Sequence, residues 1–176
     1  YLSLGFFHED GSFRINGVTG PDEYSALVNN NLYTNLMARH NFLCVLKWLD
    51  FLREADRPAC GAFWARHHVT SGELDQFRRA AEHIKLCKSG DLLLQDENIL
   101  NLEQLDLSAV PEENFPLLLH YHPLFLYQKR VCKQADAVMA MVLFPDLFTP
   151  QERAASFAFY DQITSHDSSL SRGVFS

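Results

Sequence analysis

The chain has 176 residues, 47% of them hydrophobic and 21% charged, a composition suited to a soluble protein with a substantial core. Its formal net charge of -7 offers no attraction to nucleic acid or to an anionic membrane surface, so neither is an expected partner. No apolar run reaches membrane-spanning length, and the start carries no secretory pattern.

The first segment, Leu2 to Ile15, mixes aromatic residues with Gly5, Gly11 and acids and reads as loop or short strand, with Asp10-Gly11 as a turn. From about Leu27 to Arg53, Leu32, Leu36, Phe42, Leu43, Leu46, Leu49 and Leu52 recur at three- and four-residue spacings. This predicts one long helix, or two broken near His40-Asn41, punctuated at its end by Arg57-Pro58 and Gly61. A second helix is expected from Ser71, as N-cap, to about Ile84. Lys85 to Phe115 is weakly patterned and reads as an extended excursion with short pieces of structure. A third helix is predicted over Pro123–Leu143. A fourth starts at Thr149 as N-cap, with Pro150 at the first helical position and Glu152 in the first turn, and runs to about Tyr160. A polar segment, Thr164 to Ser171, follows.

The four cysteines, Cys44, Cys60, Cys87 and Cys132, show neither a C-x-x-C pair nor zinc-ligand spacing, so no metal site is expected. Cys44 and Cys132 lie in apolar helical patterns and are expected to be buried thiols in a reducing compartment. The chain opens on Tyr1 and ends on Val174-Phe175-Ser176 without a polar tail, and so reads as an excised piece.

Three groups bear chemistry. In Val18-Thr19-Gly20-Pro21-Asp22-Glu23-Tyr24, a Gly-Pro turn presents two adjacent carboxylates and a tyrosine. Alone, such a pair is an ordinary polar turn or the acidic first turn of a helix. Asn29, Asn30, Asn31 and Asn35 nearby offer amides to a hydroxyl-rich ligand, or cap the long helix. In Lys133-Gln134-Ala135-Asp136, Lys133 and Asp136 would form a surface ion pair one helical turn apart. The apolar surroundings from Val131 to Met139 instead favour a polar cavity. The turn Thr164-Ser165-His166-Asp167-Ser168-Ser169-Leu170-Ser171 is either a flexible connection or a cradle of hydroxyls and N–H groups for an oxyanion. Its Ser, His and Asp are too close in sequence to align as a hydrolytic triad. His120-Tyr121-His122-Pro123 could line the same cavity. Trp48 and Trp64 carry no distinguishing signal.

These motifs together resemble one family, the disaccharide phosphorylases of glycoside hydrolase family 65. The run from Val18 to Tyr24, with Val28-Asn29-Asn30-Asn31-Leu32-Tyr33-Thr34-Asn35, is similar to its acid loop. Lys133-Gln134 is similar to its substrate-contacting pair, and His166-Asp167-Ser168-Ser169-Leu170-Ser171 to its phosphate-binding turn. Phe115 to Leu124 matches bacterial members. The resemblance implies a mainly all-α chain, residues 1–176 being the middle of an (α/α)6 barrel truncated at both ends. It implies inverting phosphorolysis of an α-linked glucosyl disaccharide to β-glucose 1-phosphate and a sugar acceptor. Glu23 would protonate the leaving oxygen, Lys133 and Gln134 would hold glucosyl hydroxyls, and Ser168 and Ser169 would hold phosphate. Phosphate is itself the nucleophile, so no protein base is needed, and no cofactor or metal is implied. Asp22 would add like-charge repulsion beside the acid. The full-length protein is expected to be a cytoplasmic homodimer.

The family's upstream tryptophan-acid pair and its downstream histidine segment are not in this chain. The piece should therefore be inactive alone and expose apolar surface made for missing helices. Lys85 to Glu97 departs from the bacterial pattern and leaves the acceptor open. Two other readings stand beside this one: a trehalase-like hydrolase of the same family, and a non-catalytic helical interaction module.

Overall fold

The computed structural model describes residues 1–176 and is mainly α-helical, with only short strands. It forms two compact units, residues 1–15 with 35–85 and residues 16–34 with 86–176.

In the first unit, Gly5–Phe7 (β1) and Phe13–Ile15 (β2) form an antiparallel hairpin. Gly11 supplies the left-handed φ of +84° that the Asp10-Gly11 turn requires. The long helix Leu32–Ala55 (α1) begins in the second unit and runs on through the first. It starts at Leu32 rather than Leu27, because Leu27 takes a left-handed φ of +54° and Val28 pairs with Val18. It does not break at His40-Asn41, and both residues are exposed on the running helix. Arg57-Pro58 opens a further helix, Arg57–His67 (α2), where sequence suggested only an ending. Pro58 fits its first turn and the Asp56 carboxylate accepts from Ala59 N at 2.9 Å. The cap of Ser71–His83 (α3) is Thr70, one residue before the expected Ser71, its hydroxyl accepting from Glu73 N at 3.1 Å. Phe13 anchors the core: its ring lies 5.2 Å from Phe7 and 6.1 Å from Phe42, which stacks on Phe77. Lys85 N closes on Phe13 O at 2.8 Å.

In the second unit the excursion after Lys85 contains the hairpin Lys88–Ser89 (β3) and Leu92–Leu93 (β4), turned at Gly90 with φ +58°. It also holds Glu103–Gln104 (β5), which pairs in parallel with Lys129–Arg130 (β6). The single helix predicted over Pro123–Leu143 is two, Pro123–Tyr127 (α4) and Asp136–Leu143 (α5). The reason is where the intervening backbone bonds go. β6 pairs with β5, Cys132 N donates to Ile163 O at 2.8 Å, and Ser165 N donates to Cys132 O at 2.8 Å. Those groups are satisfied across the unit, not along a helix. Cys132 is buried as expected but in this extended link, and Cys44 is only half-buried.

Pro150–Ile163 (α6) starts as its sequence predicts, with a reciprocal capping box between Thr149 and Glu152, and runs three residues beyond Tyr160 (163 against 160). It packs on β4 through Ser156 Oγ, which accepts from Leu93 N at 3.0 Å, and through the Tyr160 hydroxyl, which donates to Leu93 O at 2.9 Å. A short helix, Ser171–Val174 (α7), ends the chain. Tyr24, Leu117, Leu126 and Val131 form an apolar cluster behind the acidic loop. No helix is long and apolar enough to cross a membrane.

Candidate active site

Two backbone bonds between Val18 and Val28, at 3.0 and 2.8 Å, close residues 18–28 into a loop. At its tip the side chains alternate: Asp22 and Tyr24 are buried, and Glu23 between them is exposed. The Glu23 carboxylate accepts from Lys133 Nζ at 3.0 Å, and Gln134 Nε2 donates to Pro21 O at 2.9 Å. Three of the five residues singled out in the sequence, Glu23, Lys133 and Gln134, thus come together. The Gln134 side-chain oxygen is buried without a protein partner. Lys133 does not pair with Asp136; it precedes α5, and Asp136 begins that helix facing the loop.

Beneath Glu23 lies a network that the sequence did not disclose. The Asp22 carboxylate is fully buried. Its Oδ1 accepts from Lys133 N at 2.9 Å and Tyr24 N at 3.2 Å, and its Oδ2 from Gln95 Nε2 at 2.8 Å and Ser25 Oγ at 3.1 Å. Asp136, equally buried, accepts from Asp22 N at 2.8 Å and from Asn31 Nδ2 at 2.9 Å. Gln95 joins the two, its side-chain oxygen accepting from Asp136 N at 2.8 Å. No cation takes part. Burial, then the facing Asp22 carboxylate, push the Asp136 carboxyl well above the ordinary carboxylate range. Burial also raises Asp22, against four donors that favour its anion. Asp22 therefore acts inward as a hub, not as the repulsive neighbour of Glu23 that sequence suggested. Gly20 makes this approach possible, since a Cβ there would collide with Asp136 Oδ2 and lie 2.7 Å from Asn31 Nδ2.

Of the asparagines, Asn31 bonds the buried pair, while Asn29 stays exposed and the others bond elsewhere. Asn31 Oδ1 caps α1 by accepting from Thr34 N at 2.9 Å while its Nδ2 holds Asp136. Asn29 Oδ1 accepts from Gly17 N at 3.1 Å, Asn30 Nδ2 donates to Glu97 at 2.9 Å, and Asn35 Nδ2 donates to Lys85 O at 2.7 Å.

The turn after α6 is tied to the same loop. Ser165 bonds Cys132 O through both its N–H and its hydroxyl, setting the turn beside Lys133-Gln134. Asp167 accepts from the Tyr24 hydroxyl and from Leu117 N at 2.9 Å. Burial and then Asp167 push the Tyr24 phenol well up. His166, at φ +58°, has Nδ1 2.9 Å from Ser171 Oγ. His166 and Asp167 thus face different partners, and no triad forms. Ser168 is half-buried and accepts from Leu170 N at 3.3 Å and Ser171 N at 3.1 Å; Ser169 is exposed. His120 and His122 are both exposed. His122 accepts from Leu124 N at 3.2 Å to cap α4, and neither histidine joins the site. A polar cleft of about 360 Å³ is lined by Ser25, Asn29, Asp96, Glu97 and Tyr127 among others, and includes neither Glu23 nor Lys133. No group of three or more His, Cys, Asp and Glu side chains converges as metal ligands would.

The chain belongs to glycosyl hydrolase family 65, whose central catalytic domain model matches residues 1–176. It is 42% identical over 178 aligned positions to an α,α-trehalose phosphorylase of Geobacillus stearothermophilus, covering 100% of this chain and 23% of that protein. It is 31% identical to a maltose phosphorylase of Bacillus subtilis, covering 96% of this chain and 22% of the relative. A solved structure named "Putative kojibiose phosphorylase from human microbiome" superposes with a TM-score of 0.84 at 27% identity, over 99% of this chain and 24% of that one. The chain therefore spans about a quarter of the length of these relatives.

Proposed function

We propose that the protein containing this chain cleaves an α-linked glucosyl disaccharide with inorganic phosphate and inversion, releasing β-glucose 1-phosphate and a free sugar. The observation that carries this is the convergence on Glu23: an exposed carboxyl on a clamped loop, met by the Lys133 ammonium at 3.0 Å, with the serine turn tied to the same loop. The phosphorylase relatives support the reaction class. Glu23 gives its proton to the glycosidic oxygen as the bond from that oxygen to the anomeric carbon breaks. A phosphate oxygen bonds the opposite face of that carbon, the phosphate ester releases its proton to solvent, and solvent returns a proton to Glu23. Lys133 leaves Glu23 for glucosyl hydroxyls when substrate binds, and Gln134 offers its unpaired oxygen to another. Ser168 and Ser169 cradle the phosphate. Neither a cofactor nor a metal takes part in this scheme. The same reading makes the chain the centre of an (α/α)6 barrel in a cytoplasmic homodimer, with its exposed Trp48, Phe51 and Leu124 under segments outside it.

The test offers the full-length protein trehalose, maltose and kojibiose, with and without phosphate, and follows β-glucose 1-phosphate. Phosphate-dependent cleavage is expected for at least one, with trehalose first because of the 42% relative. Cleavage indifferent to phosphate would instead make the protein a trehalase-like hydrolase. Glu23→Gln should lower turnover by about a thousandfold or more while disaccharide binding persists. Unchanged turnover in that variant would return the chain to a non-catalytic role.

A further inference from the structure

The acid loop and the segment carrying Lys133 are joined by carboxylate-to-backbone bonds that run both ways. Asp22 reaches across to take Lys133 N, and Asp136 reaches back to take Asp22 N. One oxygen, Asp22 Oδ1, holds both Tyr24 N, the residue after Glu23, and Lys133 N, the residue whose ammonium meets Glu23. Both carboxyls are wholly buried and neither touches the exposed site, so direct contact with substrate cannot account for them.

We propose that Asp136, with Asn31, is a positioning pair that sets Glu23 against Lys133 through Asp22. The proposal deepens the phosphorylase reading, on which its catalytic consequence rests. The polarity of the pair is dictated. Asn31 Oδ1 is committed to Thr34 N at the start of α1, so its Nδ2 must face Asp136 Oδ2. Asp136 Oδ1 is committed to Asp22 N. An amide at position 136 would set an NH2 group against one of these donors, and Asn31 cannot turn to relieve it without uncapping the helix. Relief by displacement toward Gly20 is limited, since Asp136 Oδ2 already occupies the place of a side chain there. The reciprocal exchange is different. An aspartate at position 31 still caps Thr34 N and accepts from an asparagine at position 136, whose oxygen still takes Asp22 N. The same number of carboxyls remains buried.

The test compares full-length wild type, Asp136→Asn and the double variant Asn31→Asp/Asp136→Asn by two readouts. One is the rate at which a small amine-reactive reagent modifies Lys133, read by mass spectrometry, which does not depend on any activity. The other is kcat and KM for the disaccharide that wild type cleaves, measured well below each variant's unfolding temperature. Asp136→Asn should label Lys133 several-fold faster and lose about tenfold to a hundredfold in kcat, with KM within about threefold. The double variant should return both to within about threefold of wild type, which distinguishes bond polarity from bulk. A folded Asp136→Asn protein with unchanged labelling overturns the proposal. If that single variant does not fold, a folded double variant with fast-labelled Lys133 overturns it equally. Labelling that changes and is restored, in a protein without phosphate-dependent cleavage, upholds the clamp and rejects the phosphorylase reading.

Discussion

Gly20 shows how much one residue carries. Its lack of a side chain lets the loop backbone pass against Asp136 and Asn31, so the buried frame and the exposed acid are built by the same turn. Gly20→Ala should cost about 1–3 kcal/mol by overpacking, or more if Asp136 is expelled from its bonds. The expected result is a lower unfolding midpoint in denaturant for the full-length protein, together with faster labelling of Lys133. A midpoint equal to wild type would show that the loop has room to yield. The division of labour between neighbours is equally local. Asp22 and Tyr24 point inward and are clamped, and Glu23, between them, keeps an exposed carboxyl that accepts from Lys133. The tip was readable as acidic and polar from Asp22-Glu23 alone. Which acid faces outward was not, because alternation in a three-residue tip depends on what packs behind it. Here that is the cluster of Tyr24, Leu117, Leu126 and Val131.

Among the elements, α6 was the most legible. Thr149, Pro150 and Glu152 mark its start by local chemistry, and the reciprocal bonds at 3.1 and 2.9 Å realise it. Thr149→Ala should remove about 1 kcal/mol, seen as a lower thermal midpoint without loss of fold. No change would mean that tertiary packing alone holds this terminus. The stretch from Pro123 to Leu143 shows the opposite case. Its apolar spacing suits a helix throughout, yet Lys129–Arg130 pairs as a strand and Cys132 bridges to the residues after α6. Periodicity records which side chains are apolar and not where the backbone finds its partners. The Lys85–Phe115 excursion hid Gln95 for a related reason. A lone glutamine in a weakly patterned segment gives no sign that its amide will join two buried aspartates 114 residues apart.

For the whole molecule, the buried pair predicts a pH dependence with a defined sign. The Asp136 carboxyl is raised in the folded state, chiefly by burial and by Asp22. Its contribution to stability is therefore fully present below the ordinary value near 3.8 and is lost as pH rises through the raised folded value. The groups facing it are Asp22, Asp96, the Cys132 thiol and the Tyr160 phenol, all pushed upward by burial, so none supplies an opposing positive charge. The stability of wild type relative to Asp136→Asn, from denaturant midpoints of the full-length protein, should be greatest near the ordinary value of 3.8 and fall as pH rises across the range in which both proteins fold. A difference constant over that range would show that Asp136 does not titrate on folding. The exposed apolar side chains of the two units include Trp48 at 63% and Leu119 at 77%.

The amino-acid sequence by itself determined the mainly helical class, the start of α6 and membership of family 65. Each of these is local: a cap, a spacing or a contiguous motif whose meaning survives without its surroundings. Only the tertiary structure decided that Asp22 and Asp136 are a buried reciprocal clamp, that Asn31 faces inward, and that Asp167 joins the serine turn to the acid loop. Those roles rest on hydrogen bonds between residues more than a hundred positions apart. A polar side chain in sequence carries no mark of whether it will meet water or a distant donor, and that difference is made by burial.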